Sequence, residues 1–156
     1  MTLSIWRVIN NRYAHLGLSG EGARLYGGRW TSPGYPVIYC AQHLSLAILE
    51  ILVHTERKQV LASYSKISLT ISEAQVYRVS AAELPEKWAA PFPGFELQEI
   101  GDLWLRSQRS LVLQLPSVIV NEENNYLVNP HHPDFNALHA GAVEPVALDV
   151  RLFNGE

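Results

Sequence analysis

The sequence predicts an α+β fold with a mainly antiparallel β-sheet. Segments with strand patterns outnumber segments with helix patterns, and the two kinds do not alternate strictly, which argues against a doubly wound parallel sheet. Of the 156 residues, 47% are hydrophobic, which is ample material for a core. No internal repeat, low-complexity block or long linker interrupts the sequence, so residues 1–156 are expected to form a single domain.

The first half of the sequence contains two strand patterns and one helix pattern. Residues 4–9 predict a strand, and the polar, glycine-rich residues 10–28 predict a long irregular connection of the kind that often carries function. Residues 37–40 predict a short buried strand that follows a Pro-Gly turn. Residues 45–54 predict a helix with Ser45 as N-cap, and apolar positions all around this helix indicate burial on most sides.

The second half is dominated by strand patterns. Strands are expected within residues 66–72, 76–79, 111–120 and 143–152. Pro116 is expected to divide the third of these into two short segments at a bend. A short helix is expected at residues 100–106, beginning near Gly101, and a turn closed by proline is expected at residues 124–130.

Charge and composition exclude several classes of protein. The net charge of −3, from 12 basic and 15 acidic residues, argues against direct nucleic-acid binding and against binding to anionic membranes. No run approaches the roughly 18 apolar residues of a membrane span, and residues 1–7 lack a signal-peptide layout. Cys40 has no partner for a disulfide, so a cytoplasmic protein is expected.

Three residues on successive predicted elements suggest a nucleotide-processing site. Arg29 follows a glycine pair, which lets backbone approach a ligand, and its planar guanidinium suits phosphate. Tyr39 ends the short strand, and Glu50 stands alone in an apolar helix, where a carboxylate is costly to bury without a partner or a role. The alternatives are a surface arginine, a core tyrosine, and a glutamate that pairs with an arginine or faces solvent.

Other polar residues extend this set. Arg7, on the opposite face of its strand from Trp6, would need an anionic partner if it faced inward, either Glu50, a ligand phosphate or both. Ser117 lacks the Gly-x-Ser-x-Gly context of a hydrolase nucleophile and is interpreted as a ligand hydrogen-bond donor or an ordinary bulge serine. Adjacent histidines at 131 and 132 lack the spacing of metal ligands, so no metal is expected.

Taken together, the motifs of this sequence resemble the RES domain, a family of bacterial toxins named for an Arg, a Glu and a Ser. The matching motifs, in order, are Trp6-Arg7, Gly27-Gly28-Arg29-Trp30, Val37-Ile38-Tyr39, Ala47 to Glu50, Leu115 to Val120 and Asn129-Pro130. The resemblance covers nearly the whole chain. It implies a fold like that of ADP-ribosyltransferase toxins, with a split β-sheet, NAD⁺ in the cleft, and an activity that destroys NAD⁺.

The resemblance also implies roles for individual residues. Carried over by position, the catalytic residues are Arg29, Tyr39 and Glu50, and the substrate-binding residues are Arg7, Ser117 and Asn129. Cleavage of the nicotinamide–ribose bond passes through an oxocarbenium-like state, which a carboxylate at Glu50 would stabilise. The arginines would hold phosphate groups, Tyr39 would stack against the nicotinamide or ribose, and Ser117 would fix the substrate.

Three outcomes share this chemistry: phosphorolysis of NAD⁺, hydrolysis of NAD⁺, and ADP-ribose transfer to a protein. Two cationic side chains favour inorganic phosphate as co-substrate, and NAD⁺ is consumed rather than kept as a cofactor. A catalytically silent module that binds a nucleotide or docks an antitoxin is the alternative from another class. The resemblance implies a helix-turn-helix antitoxin as partner, and a homodimer is left open.

Overall fold

The fold was described from a computed structural model that covers residues 1–54 and 63–152. Its strands are β1 (Thr2–Asn10), β2 (Ile38–Ala41), β3 (Tyr64–Ser72), β4 (Val76–Arg78), β5 (Val112–Pro116), β6 (Asn124–Val128), β7 (His139–Ala140) and β8 (Glu144–Val146). Its α-helices are α1 (Glu21–Tyr26), α2 (Leu44–His54) and α3 (Phe95–Ser107).

The strands within the described ranges join in one curled sheet of order β4-β5-β6-β2-β1-β3-β7, with β8 also beside β3. β4 and β5 are parallel, and the other pairs are antiparallel. β1 pairs with β3 along its whole length but meets β2 at one position only, Trp6 opposite Ala41. The predicted α+β class with a mainly antiparallel, split sheet is therefore confirmed, and the split lies between β1 and β2.

The helices pack on one face of the sheet. Residues on the opposite face form an apolar cluster that includes Ile5, Ile38, Ile67, Leu69, Leu111 and Val112. On the helix face, α2 packs through Leu46 against Val8 and Ala41, and residues of α3 pack around Trp30 and Leu127. Paired residues in an antiparallel ladder share a face of the sheet. Tyr39, which pairs with Leu127, and Asn125, which pairs with Ala41, therefore also point toward the helices.

The helices differ from the sequence prediction at their ends. Residues 10–28 are not wholly irregular, since they contain a 3-10 helix at Asn11–Leu16 and then α1. α2 begins at Leu44, and the His43 carbonyl accepts the first helical hydrogen bond, so Ser45 is not the N-cap. Its burial is also less complete than predicted, because Val53 is 62% exposed.

α3 begins one and a half turns before the predicted start. Gly101 had suggested a helix boundary, but it lies in the middle of α3 and is buried. A Cβ built on Gly101 would lie 1.8 Å from the Trp30 carbonyl oxygen. The glycine is therefore a site of close backbone packing, which sequence alone does not distinguish from a helix end.

Three predictions in the second half, one of a turn and two of strands, were wrong in detail. Residues 124–128 form the interior strand β6 rather than a turn, because their backbone pairs with β2 on one side and β5 on the other. Residues 118–120 are bends, since the Ser117 hydroxyl accepts hydrogen bonds from their backbone. The last predicted strand shrinks to β8, where Pro145 cannot donate to the ladder.

Candidate active site

Glu50 lies on α2 with its side chain half-buried against the end of β6. Its Oε1 accepts a hydrogen bond of 2.9 Å from Asn125 Nδ2 and a longer one of 3.4 Å from Ser117 Oγ. Within the described ranges Oε2 makes no hydrogen bond, and Glu50 forms no salt bridge with an arginine or lysine. The carboxylate is thus oriented through one oxygen and leaves the other unbonded.

Ser117 is fully buried just after β5, and its hydroxyl serves two purposes. Its Oγ accepts hydrogen bonds from the backbone N–H groups of Ile119 at 3.1 Å and Val120 at 3.2 Å. Because both acceptor positions are used in this turn, the hydroxyl proton is left to donate to Glu50. Ser117 therefore contacts the candidate catalytic carboxylate directly.

Asn125 is a site residue that the sequence reasoning missed. Its amide bonds to Glu50 across 75 residues of sequence, from a strand that had been interpreted as a turn. Residues 125 and 127 of β6 pair with residues 41 and 39 of β2, so both point to the face of the sheet on which the helices pack. Once residues 124–128 are recognised as a strand, this alternation is the signal that places Asn125 near α2.

Arg29 lies in the loop between α1 and β2 and donates to backbone carbonyls. Its Nη1 bonds to the Trp88 and Ala90 oxygens and its Nη2 to the Ala90 oxygen, each at 3.0 Å. Partial burial lowers the pKa of the Arg29 guanidinium, and the Glu50 carboxylate raises it. The two predicted catalytic charges are therefore close enough to interact, although no direct bond joins them.

Tyr39 holds the Arg29 loop from the side of the sheet. Its hydroxyl hydrogen-bonds to Thr31 Oγ1 at 2.7 Å and accepts from the Trp30 N–H at 3.4 Å. A Cβ on Gly28 would lie 2.5 Å from the same hydroxyl, so the loop passes over the ring only because residue 28 is glycine. Desolvation raises the pKa of Tyr39 to about 12, which keeps the phenol neutral at physiological pH.

α3 holds the same loop from the opposite side. Gln98 Nε2 donates to the Gly28 carbonyl at 3.1 Å. The buried Asp102 carboxylate accepts from the Ser32 backbone N–H at 2.9 Å and from the Ser32 hydroxyl at 2.6 Å. The sequence prediction included neither Gln98 nor Asp102. The one signal was that Asp102, an acidic residue, lies among the apolar positions of α3.

Arg7 lies where β1 and β2 separate. Its Nη1 donates to the Tyr39 carbonyl at 3.0 Å, while its Nε is buried and has no hydrogen-bond partner in residues 1–54 and 63–152. Burial lowers the pKa of Arg7, and the nearby Cys40 raises it. The structure does not pair Arg7 with Glu50, since Trp6 and Val8 are the β1 residues that pack with α2. No carboxylate in the described ranges forms a salt bridge with Arg7.

Asn129 is not brought to Glu50. It is 3% exposed, its Oδ1 accepts from the His131 N–H at 3.0 Å, and its own N–H donates to the Leu111 carbonyl at 3.0 Å. It follows the end of β6 that pairs with Ile38, whereas Asn125 lies at the other end, opposite Ala41. Asn129 thus shapes the turn that leaves the sheet.

Two further properties concern the described part of the chain. No group of three or more His, Cys, Asp or Glu side chains there is arranged to hold a metal ion. None of the helices in residues 1–54 and 63–152 combines the length and hydropathy needed to cross a bilayer.

Comparison with known proteins identifies the family. A family model described as the RES domain matches residues 4–149. A curated relative from Photorhabdus laumondii, named Toxin Res, is 39% identical over 132 residues, which are 85% of each chain. A relative from Sphingobium sp., named Prs ADP-ribosylating toxin, is 34% identical over 157 residues, covering 97% of this chain and 98% of its own.

Solved structures add a likeness in fold. A chain from the M. tuberculosis MbcT-MbcA toxin-antitoxin complex superposes with a TM-score of 0.78, covering 98% of this chain and 87% of that chain, at 18% identity. At this identity the likeness shows a shared fold. The family model spans nearly all of the sequence, and both curated relatives align over most of it. This chain therefore belongs to the RES domain family.

Proposed function

We propose that this chain is the toxin of a bacterial toxin–antitoxin system and that it depletes NAD⁺ by cleaving the nicotinamide–ribose bond, with inorganic phosphate as the acceptor. The observation that carries the proposal is the half-buried Glu50 carboxylate, which two donors orient through Oε1. No described residue bonds to its Oε2, and its charge interacts with that of Arg29. The toxin names of the two relatives support the biological role.

Glu50 is the residue that would act at the reacting carbon. As the C1′–N bond breaks, nicotinamide leaves with the bonding electron pair and positive charge develops on the ribose. A carboxylate fixed beforehand stabilises that charge without reorganising during the reaction. The free Oε2 of Glu50 would also accept hydrogen bonds from the ribose hydroxyls, which orients the sugar.

The arginines supply the binding of anions. Arg29 is held in place by the 88–90 carbonyls and would attract the pyrophosphate of NAD⁺ or the phosphate acceptor. Arg7 is a buried cation without a salt-bridge partner in the described ranges, which suits a second anionic group. One phosphate oxygen would form the new bond to C1′, so the products would be nicotinamide and a phosphorylated ADP-ribose.

Tyr39 and Ser117 would act mainly through other residues. The Tyr39 hydroxyl is engaged by the Arg29 loop, so only its ring is available to border the nicotinamide or ribose. Ser117 is 0% exposed and donates to Glu50, which favours orientation of the carboxylate over a direct bond to substrate. Asn129 lies in a family motif, and its buried turn geometry favours a structural role.

A protein antitoxin would silence the site by covering the cleft mouth. Residues 10–28 lead directly into the Arg29 loop, and they expose large apolar side chains such as Tyr26, which is 83% exposed. A stable interface there would bury about 1,200–2,000 Å² in total. The MbcT-MbcA structure contains an antitoxin, and by analogy we propose one for this chain.

The test of the reaction is to incubate the purified chain with NAD⁺, with and without inorganic phosphate, and to follow the ribose product by phosphorus NMR. Phosphate-dependent loss of NAD⁺ with a new phosphomonoester signal is expected. Glu50→Gln, purified in the same way, is the control for contaminating enzymes. ADP-ribose formed equally without phosphate would establish hydrolysis, and intact NAD⁺ would overturn the proposal in favour of a silent binding module.

A second candidate is ADP-ribose transfer to a protein, which the name of the Sphingobium relative favours. Induction of the wild-type chain in bacteria distinguishes the two. Under our proposal, the wild-type chain stops growth as cellular NAD⁺ falls. Induction of Glu50→Gln should neither stop growth nor lower cellular NAD⁺. Growth arrest with unchanged NAD⁺ and an ADP-ribosylated protein would establish transfer.

A further inference from the structure

Asn125 makes the shorter of the two hydrogen bonds that orient Glu50. Its Nδ2 lies 2.9 Å from Oε1, against 3.4 Å for the Ser117 hydroxyl. Near 2.9 Å a bond from N–H to carboxylate has its ordinary length, whereas 3.4 Å is long for a hydroxyl donor. Most of the restraint on the carboxylate therefore comes from Asn125.

The orientation of the Asn125 amide follows from its surroundings. If the amide were reversed, its oxygen would face a carboxylate oxygen, and two acceptors would be in contact without a proton between them. In the observed orientation Oδ1 is buried and has no hydrogen-bond partner among the described residues. A buried acceptor without a partner destabilises the fold, and an apolar side chain at this position would avoid that penalty.

We propose that Asn125 is a positioning residue for Glu50, which fixes Oε1 and thereby presents Oε2 to the ribose of the substrate. The proposal rests on the proposed function of Glu50, and residue 125 lies outside the sequence motifs from which the candidate site was predicted. Both donors to Glu50 end on the same oxygen, so rotation of the carboxylate away from the site would break both bonds together.

The experiment compares Asn125→Ala and Asn125→Asp with Asn124→Ala as the matched control. Asn124 is the neighbouring asparagine on β6, and its amide bonds to Gln42 rather than to Glu50. A bond to a charged group is strong enough that we expect kcat for NAD⁺ loss to fall about 10- to 100-fold in Asn125→Ala, with KM little changed. Asn125→Asp should lose more, because it sets two carboxylates together, and Asn124→Ala should keep kcat near that of the wild type.

The decisive comparison places Asn125→Ala in the Glu50→Gln background. A residue that acts through Glu50 should cause a much smaller further loss there than in the wild type. If the two losses are equal, or if kcat per folded molecule is unchanged in Asn125→Ala while only the thermal midpoint falls, the proposal is overturned.

A readout without activity separates this proposal from the proposed function. The side-chain amide resonances of Asn125 in a nitrogen-15 spectrum should shift in Glu50→Gln, and those of Asn124 should not. If the Asn125 resonances do not move, Asn125 does not position Glu50, whatever the activity. If they move while the wild type leaves NAD⁺ intact, the contact stands and the proposed reaction is wrong.

Discussion

Glu50 and Arg29, the two charged residues predicted to be catalytic, are held in different ways. On the carboxylate side (Glu50, Ser117 and Asn125), two side-chain donors bond to one oxygen, and no residue in the described ranges bonds to the other. The arginine side consists of the loop at residues 28–32 and the residues that hold it. Tyr39 of the sheet bonds to the loop from one side, and Gln98 and Asp102 of α3 bond to it from the other. The backbone of Trp30 also packs closely against Gly101 of α3. Arg29 itself is bonded to carbonyls of residues 88 and 90.

Because of this difference, we expect the carboxylate side to affect mainly activity and the arginine side to affect stability as well. On the carboxylate side, the bonds to Glu50 join side chains, so we expect removal of its charge to leave the backbone of the site in place. The arginine side contains contacts that also join the 27–34 loop to α3, so a change there should affect stability as well as activity. Substitutions on the two sides should therefore give different combinations of rate and thermal midpoint.

The largest expected effect is on the carboxylate side. Glu50→Gln keeps the shape of the side chain and removes the charge, so we expect NAD⁺ turnover to fall about 10²–10³-fold, or roughly 3–4 kcal/mol in the activation barrier. The thermal midpoint should stay within a few degrees of the wild type. Turnover assays measure the loss of activity, and thermal unfolding measures the midpoint. If Glu50→Gln unfolds, the carboxylate side also supports the fold, and the difference from the arginine side disappears.

A large effect on folding is expected on the arginine side from Gly101→Ala. The new methyl group would have to displace the Trp30 backbone, whose oxygen lies 1.8 Å from the ideal Cβ position. Overpacking of this kind costs about 1–3 kcal/mol or more of the free energy of unfolding, measured by chemical denaturation. Activity should fall with it, because Trp30 adjoins Arg29.

Gly22→Ala is the matched control for that experiment. Gly22 lies in α1, and a Cβ there would meet no heavy atom within 4 Å. Alanine in a helix is favoured over glycine by about 0.5–1 kcal/mol, so this variant should be as stable as the wild type or slightly more stable. Equal destabilisation by both alanines would contradict the close packing at Gly101.

A smaller effect is expected from Tyr39→Phe, which removes the bonds to Thr31 and Trp30. The net loss should be about 1 kcal/mol in the free energy of unfolding. The pH dependence provides a sharper measurement. Because desolvation raises the pKa of Tyr39 to about 12 from the ordinary value of 10.0 for tyrosine, the unfolded chain releases the phenolic proton first as pH rises.

Tyr39 therefore makes the wild type lose stability as pH increases from about 10 to 12, by at most about 1.4 kcal/mol per pH unit. Tyr39→Phe lacks this contribution, so the wild type's advantage in the free energy of unfolding, about 1 kcal/mol at neutral pH, should shrink and then reverse over that window. Denaturation curves at several alkaline pH values measure it, and a constant difference would show that the phenol is not enclosed.

The sequence predicted the fold class, and it singled out Glu50 and Arg29 as candidates, whose charges interact in the structure. It did not predict which residues hold them in place. Glu50 could be singled out because a carboxylate within an apolar helix breaks a local pattern. The alternating pattern of residues 66–72 likewise predicted most of β3, which pairs with β1 along its whole length.

The supports were missed because each depends on a distant segment. Asn125 follows another asparagine and reads as a turn, and the backbone pairing with β2 on one side and β5 on the other makes it part of a strand. Gly101 reads as the start of a helix, and only the approach of Trp30 explains a glycine in its middle. A local sequence pattern does not show which distant residue will bind a side chain. Asp102 bonds to Ser32, 70 residues away in sequence, and Asn125 bonds to Glu50, 75 residues away.

The same long separations have a consequence for how the protein is made. A chain that emerges from the ribosome contains Arg29, Tyr39 and Glu50 within its first third, while Asn125, which makes the shorter of the two hydrogen bonds to Glu50, lies 75 residues further on in the sequence. At about 5–20 residues per second, that interval lasts roughly 4–15 s. During translation the nascent chain therefore carries all three residues without a site, which assembles only when β6 has been made and has paired with β2.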